Sequence, residues 1–151
     1  MRSTLLHDAD GLRTFAVVMD KDDEAAGELL AFARERGIGG ASLTAIGAFR
    51  EATLAYFDPD EAQYHDIPVS EQAEVLSLIG DIAAQDEAPA LHAHAVLGRR
   101  DGSTVGGHLK RAIVWPTLEV IVTETPNHLR KQVDPETGLA LISLGGHVFR
   151  N

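Results

Sequence analysis

The sequence predicts an α+β fold, mainly antiparallel β-sheet packed against one principal α-helix. Two observations carry this. Only one segment has strong helical periodicity, and roughly eight short apolar runs of strand length are separated by turn residues, which favours sequential antiparallel pairing over βαβ units. The 151 residues are one domain's worth of chain, expected as a single unit over 1–151 with its core at about 12–145, and can bury a core without disulfide or metal staples.

Taken in order, Leu12 to Met19 carries Phe15, Val17 and Val18 and reads as a first strand. The helix follows in DKDDEAAGELLAFARERG: Asp22 or Asp23 can cap its start, and Arg34 and Arg36 suit the negative end of its dipole before Gly37. Ala26, Leu29, Leu30 and Ala33 form an i, i+3, i+4, i+7 stripe that should lie on a sheet. Leu43 to Phe49 and Ala52 to Phe57 read as two strands split by Arg50 and Glu51. After the loop DPDEAQ, Tyr64 to Val69 is polar enough for an edge strand, with His65 in a surface role. Glu74 to Ile82 alternates around Gly80, which suggests a bulge or a close backbone approach. AAQDEAPA reads as a loop, and at Trp115-Pro116 proline should break the ladder. Leu118 to Val122 is an apolar run interrupted by Glu119, a carboxylate that must either face water or support a polar site. A turn at Asp134 to Gly138, a last strand over Leu139 to Leu144 and a tail containing His147 complete the chain.

Composition narrows function. Hydrophobic residues at 44% and charged residues at 24% are ordinary for a soluble globular protein, and no apolar run is long enough to span a bilayer. With no signal-like or anchor-like start, the expected location is cytoplasmic. Cysteine is absent, so thiolate nucleophiles and Cys-based zinc sites are excluded and any metal must rest on histidines and carboxylates. A formal net charge of -10 works against nonspecific nucleic-acid binding, which draws its affinity from Lys and Arg displacing phosphate counterions.

Three of the seven histidines lie in one stretch, LHAHAVLGRRDGSTVGGHL. His92 and His94 are spaced i, i+2, about 200° apart on a helix but on one face of a strand. Arg99 to Ser103 supply turn chemistry, and antiparallel return would bring His108 to roughly the level of His94. Two imidazoles from one strand and a third from the next make a three-ligand site for zinc or another divalent ion with an open fourth position, the catalytic rather than the structural pattern. Gly106 and Gly107 would let a ligand or another subunit's backbone approach. The same spacing is also compatible with two solvated histidines on a half-exposed strand, and a register slipped by one residue would send His108 to the opposite face.

The succession SLIGDI, LHAHAVLG, GGHL at Gly106 to Leu109, PTLEVIVTE and DPETGLALISL resembles the plant and prokaryote conserved (PPC) domain over roughly residues 12 to 145. The resemblance implies a sheet packed on a helix, a homotrimer, and a DNA-binding designation from plant relatives that carry AT-hook segments; this chain has no Arg-Gly-Arg-Pro core and no basic tail. The fold is also similar to that of acetolactate decarboxylase, whose zinc rests on a His-x-His pair and a later histidine; the matching positions here are His92, His94 and His108. The resulting expectation is a trimeric metal protein acting as a small-molecule enzyme or sensor, with Arg50 and Glu119 as supporting or pocket groups. A DNA-associated or protein-interaction module, and a purely structural histidine cluster, are the alternatives.

Overall fold

The computed structural model describes residues 1–125 and 129–144. Among them are β1 (Arg2–Ala9), β2 (Leu12–Met19), α1 (Ala25–Arg36), β3 (Gly40–Asp58), β4 (Gln63–Val69), β5 (Ala73–Gln85), β6 (Ala88–Gly98), β7 (Thr104–Glu124), β8 (Arg130–Val133) and β9 (Ala140–Ser143). The sheet runs β1-β2-β7-β3-β5-β8-β9, with β4 added to β3 and β6 paired to both β5 and β7. Because β7 and β5 both also pair with β3, the strands β3, β5, β6 and β7 close a ring of hydrogen bonds. Among the described residues all pairings are antiparallel except a single parallel bridge between β5 and β8 at Ala84 and Arg130.

Helix α1 covers this sheet, but its start and its buried stripe differ from the sequence expectation. The cap is Glu24, whose carboxylate accepts from the backbone N–H of Ala26 at 3.3 Å and Gly27 at 2.7 Å. Asp22 is in a left-handed conformation and Asp23 instead accepts from the N–H of Asp20, so neither can cap. The longer Glu24 side chain also accepts from the N–H of Ala112 at 3.2 Å, tying the helix start to β7. Buried positions are Ala25, Leu29, Phe32 and Ala33, and Phe32 meets Phe15 edge-on at 5.3 Å. The helix ends at Gly37 in the left-handed region, where its N–H and that of Ile38 bond the last turn.

Four boundaries are corrected. The first strand is β1, joined to β2 by Asp10 and Gly11, both at positive φ as a two-residue hairpin requires. The two runs around Arg50 and Glu51 are one strand, β3, with a register shift at that charged pair. Most of AAQDEAPA is strand; Asp86 and Glu87, both at positive φ, make a tight turn between β5 and β6. Proline at 116 does interrupt the ladder to β3, which jumps from Leu118 to Val114, yet the chain continues as the single strand β7. The strand expected near the end appears as β9, preceded by an unanticipated β8, while His147 lies outside the described residues.

Candidate metal centre

The hairpin between β6 and β7 sets the register of the histidines. Arg99 N–H donates to Ser103 O at 2.8 Å, Gly102 N–H to Arg99 O at 2.9 Å, and Asp101 Oδ1 accepts from both the N–H and the hydroxyl of Ser103. Those Ser103 bonds hold the Asp101 carboxyl below the usual carboxylate range. With the turn so defined, His94 stands directly opposite His108, and His92 lies two residues along on the same face.

The three rings converge. Their centroids are 5.2 to 5.5 Å apart, and one ring nitrogen from each falls within 4.8 Å of the others. His92 Nε2 and His94 Nε2 are 3.3 Å apart. Two nitrogens at about 2.0–2.1 Å from a tetrahedral ion would be separated by about 3.3–3.4 Å, so the spacing fits zinc. His92 and His108 are half-buried and His94 is exposed. His108 Nδ1 is buried with no hydrogen-bond partner among the described residues, a state that costs about 1–3 kcal/mol unless a ligand satisfies it. Tyr64 from β4 stacks on the His108 ring at 4.8 Å, walling that side of the site.

The surroundings of His92 and His108 favour their neutral, metal-binding form. Burial pushes the His108 imidazole down to about 4, helped by His92, His94, Lys131 and Lys110 nearby. Burial also lowers His92, aided by Lys131 and opposed by Asp81. Neutral imidazole is the form that binds metal, so at neutral pH His92 and His108 need lose no proton to act as ligands.

Two residues beside the site escaped the sequence reading. Asp81 on β5 pairs with His92 across the ladder, its Oδ2 lying 3.6 Å from His92 Nδ1. Lys131 on β8 places Nζ 2.9 Å from Asp81 Oδ1. A carboxylate in SLIGDI and a lysine in RKQV carry no local signal; only the strand order brings them together.

The other expected residues lie elsewhere. Arg50 forms an exposed ion pair with Asp22. Glu119 stands opposite Ile46 on β3, whereas His108 stands opposite Ala55, so both charges belong to distant parts of the long strands. Gly106 and Gly107 do serve close approach, but of this chain's own backbone: a Cβ on Gly107 would lie 2.7 Å from Ala55 O, and one on Gly106 3.3 Å from Ala95 O. His65 belongs to a second group with half-buried Asp58 and exposed Glu61, in which Glu61 Oε2 is 3.0 Å from His65 Nε2.

The sheet, helix α1 and the strand-borne histidine triad together define an α+β protein with a candidate metal centre. The sequence profile of the Plants and Prokaryotes Conserved (PCC) domain matches residues 7–126, and the chain belongs to that family. Among solved structures it is similar to a candidate DNA-binding protein of Bacteroides thetaiotaomicron, at 30% identity and TM-score 0.85 over 93% of this chain and 96% of the other. It is similar to a metal-containing protein of Archaeoglobus fulgidus at 34% identity and TM-score 0.81, covering 86% and 92%. A plant- and prokaryote-conserved protein of Pyrococcus horikoshii matches at 26% identity and TM-score 0.82, covering 94% of each chain. The bifunctional protein GlmU of a Synechococcus strain is 29% identical over 130 residues, 84% of this chain and 20% of the other, so the chain spans about a fifth of that relative's length.

Proposed function

We propose that this PCC-domain chain is a metal-binding homotrimer in which His92, His94 and His108 hold zinc or another divalent ion beside a small-molecule pocket, acting as an enzyme or a sensor. The convergence of three ring nitrogens, with His92 and His94 Nε2 at 3.3 Å, carries this reading. The metal-containing relative from Archaeoglobus supports it. With three protein ligands, an ion would keep a position open to polarise a carbonyl or activate water. The chain's own part is to present three converging imidazoles, to wall one side with Tyr64 and to leave the exposed His94 side open to an incoming molecule.

Trimer formation is supported by an apolar groove on the sheet. Ile46, Leu76, Ile79 and Ile121 line it with Glu119 at its edge, all four apolar side chains being well exposed. A subunit contact would remove that apolar surface from water. No helix among the described residues is long and apolar enough to cross a membrane.

The test is metal content per chain in untagged protein, compared with a His92→Ala, His94→Ala double variant. The expected result is near-stoichiometric zinc in the parent, lost in a variant of unchanged circular dichroism and assembly. Absence of bound metal, with no uptake on titration at neutral pH, would overturn the reading. In that case the DNA-associated module suggested by the Bacteroides relative moves to the front. Its signature is a duplex affinity that falls steeply with salt, a demanding requirement for a chain of net charge -10.

A further inference from the structure

We infer that Asp81 and Lys131 are the positioning pair of the histidine centre, Asp81 holding His92 with its proton on Nδ1 and Lys131 holding Asp81. The inference rests on the metal reading above but is tested separately from it. Glu124 and Lys131 are the buried charged residues among those described. Glu124 is accounted for by two bonds from Arg13, at 2.5 and 2.8 Å, which join β2 to the end of β7. Lys131 is different: its side chain is only 3% exposed, it sits on a four-residue strand, and its ion-pair partner is Asp81. A buried ammonium is expensive unless it is paired.

The geometry points from that pair to His92. Since His92 Nε2 faces His94 Nε2, a lone pair is needed on His92 Nε2 for it to act as a ligand, and the ring proton must then sit on Nδ1. Asp81 Oδ2 is the carboxylate oxygen that faces Nδ1, at 3.6 Å, longer than a hydrogen bond and within direct electrostatic contact. Lys131 Nζ lies 2.9 Å from the other oxygen, Oδ1, as an ion pair without hydrogen-bond geometry, and Oδ2 is the oxygen nearer the ring. In the opposite tautomer His92 would donate from Nε2 to His94, closing the space between them with a hydrogen bond. Carboxylates behind a ligating histidine act in this way, and losing one typically weakens metal binding by about 10–100-fold.

The experiment has two readouts. The first is the nitrogen NMR of the His92 ring in metal-free protein: the parent should show Nδ1–H, and Asp81→Asn should shift the population toward Nε2–H. The second is zinc affinity by chelator competition, expected to fall about 10–100-fold in Asp81→Asn and to recover partly in Asp81→Glu. Lys131→Met should weaken zinc in the parent background and add nothing to Asp81→Asn, because lysine acts through the carboxylate. An unchanged tautomer with unchanged zinc affinity in Asp81→Asn overturns the inference. So does tighter zinc in Lys131→Met, which would make the lysine a repelling charge only. If the parent takes no zinc, the metal reading fails while the tautomer measurement still decides whether Asp81 orients His92.

Discussion

Acidification of the metal-free protein should expose the electrostatics of His108 directly. Its imidazole is held at about 4, chiefly by burial and then by the charges of His92, His94, Lys131 and Lys110. In the unfolded chain a histidine takes up its proton around pH 6.5. Between about pH 6.5 and 4 the unfolded state therefore binds more protons than the fold, so stability present above that window is lost as pH falls through it, with no further loss below. The full separation would be worth about 3 kcal/mol; solvent access to the half-buried ring reduces this to about 1–2 kcal/mol. His92, lowered in the same direction, adds a contribution of the same sign. The assay is urea unfolding at steps from pH 7.5 to 4.5 for the parent and His108→Gln, taken as a difference so that shared carboxylates cancel. The gap between the two should change in the variant's favour as pH drops. A difference that stays flat across the window, or moves in the parent's favour, would refute the reasoning. Saturating zinc should carry the parent's stability to lower pH, because protons then compete with the ion for the same nitrogens.

Two further outcomes follow from the packing. A Cβ added at Gly80 would lie 2.3 Å from His92 O and 2.9 Å from Ala93 Cα, so Gly80→Ala should push β6 off β5, costing about 1–3 kcal/mol in urea unfolding and loosening zinc binding together. Full stability and full affinity in this variant would show that the strands tolerate separation there. Placing charge in the apolar groove by Ile79→Glu with Ile121→Glu should disrupt the proposed trimer, giving a monomer in light scattering with circular dichroism intact. An assembly state unchanged by the two charges would place any subunit interface elsewhere.

How much of the fold was legible depended on where each element's signal resides. The helix and strands β2 and β5 were visible because burial of one face imposes a period on the chain, and β4 because a short polar run suits an edge. Strand β1 was not, since nearly all of its residues are exposed and no alternation marks it; its one local sign was the Asp10-Gly11 pair. Charge at Arg50-Glu51 and proline at 116 look like strand ends in sequence. In the fold both are absorbed as register irregularities in strands long enough to continue past them. Local punctuation predicts where a ladder is disturbed, but strand continuation is decided by partners on either side.

The same distinction governs the site. His-x-His is a local pattern, so the face shared by His92 and His94 could be read from a period of two. The face of His108 could not, because one residue of slippage would invert it; the hydrogen-bonded turn at Arg99 to Ser103 and the pairing of His108 with Ala55 set it. Arg50 and Glu119 drew attention as charges within apolar runs, yet that pattern is satisfied by an outward-facing position on a one-sided strand. Asp81 and Lys131 sit 50 residues apart and meet through the ladder of β5 with β6 and the short β8. Their placement ties β8 to the site: a strand joined to β5 by one bridge contributes little pairing there, but it carries the ammonium paired with the carboxylate that faces His92. The histidine cluster on this sheet is thus specified in two layers, its rings by local periodicity and their neighbouring charges by long-range strand order.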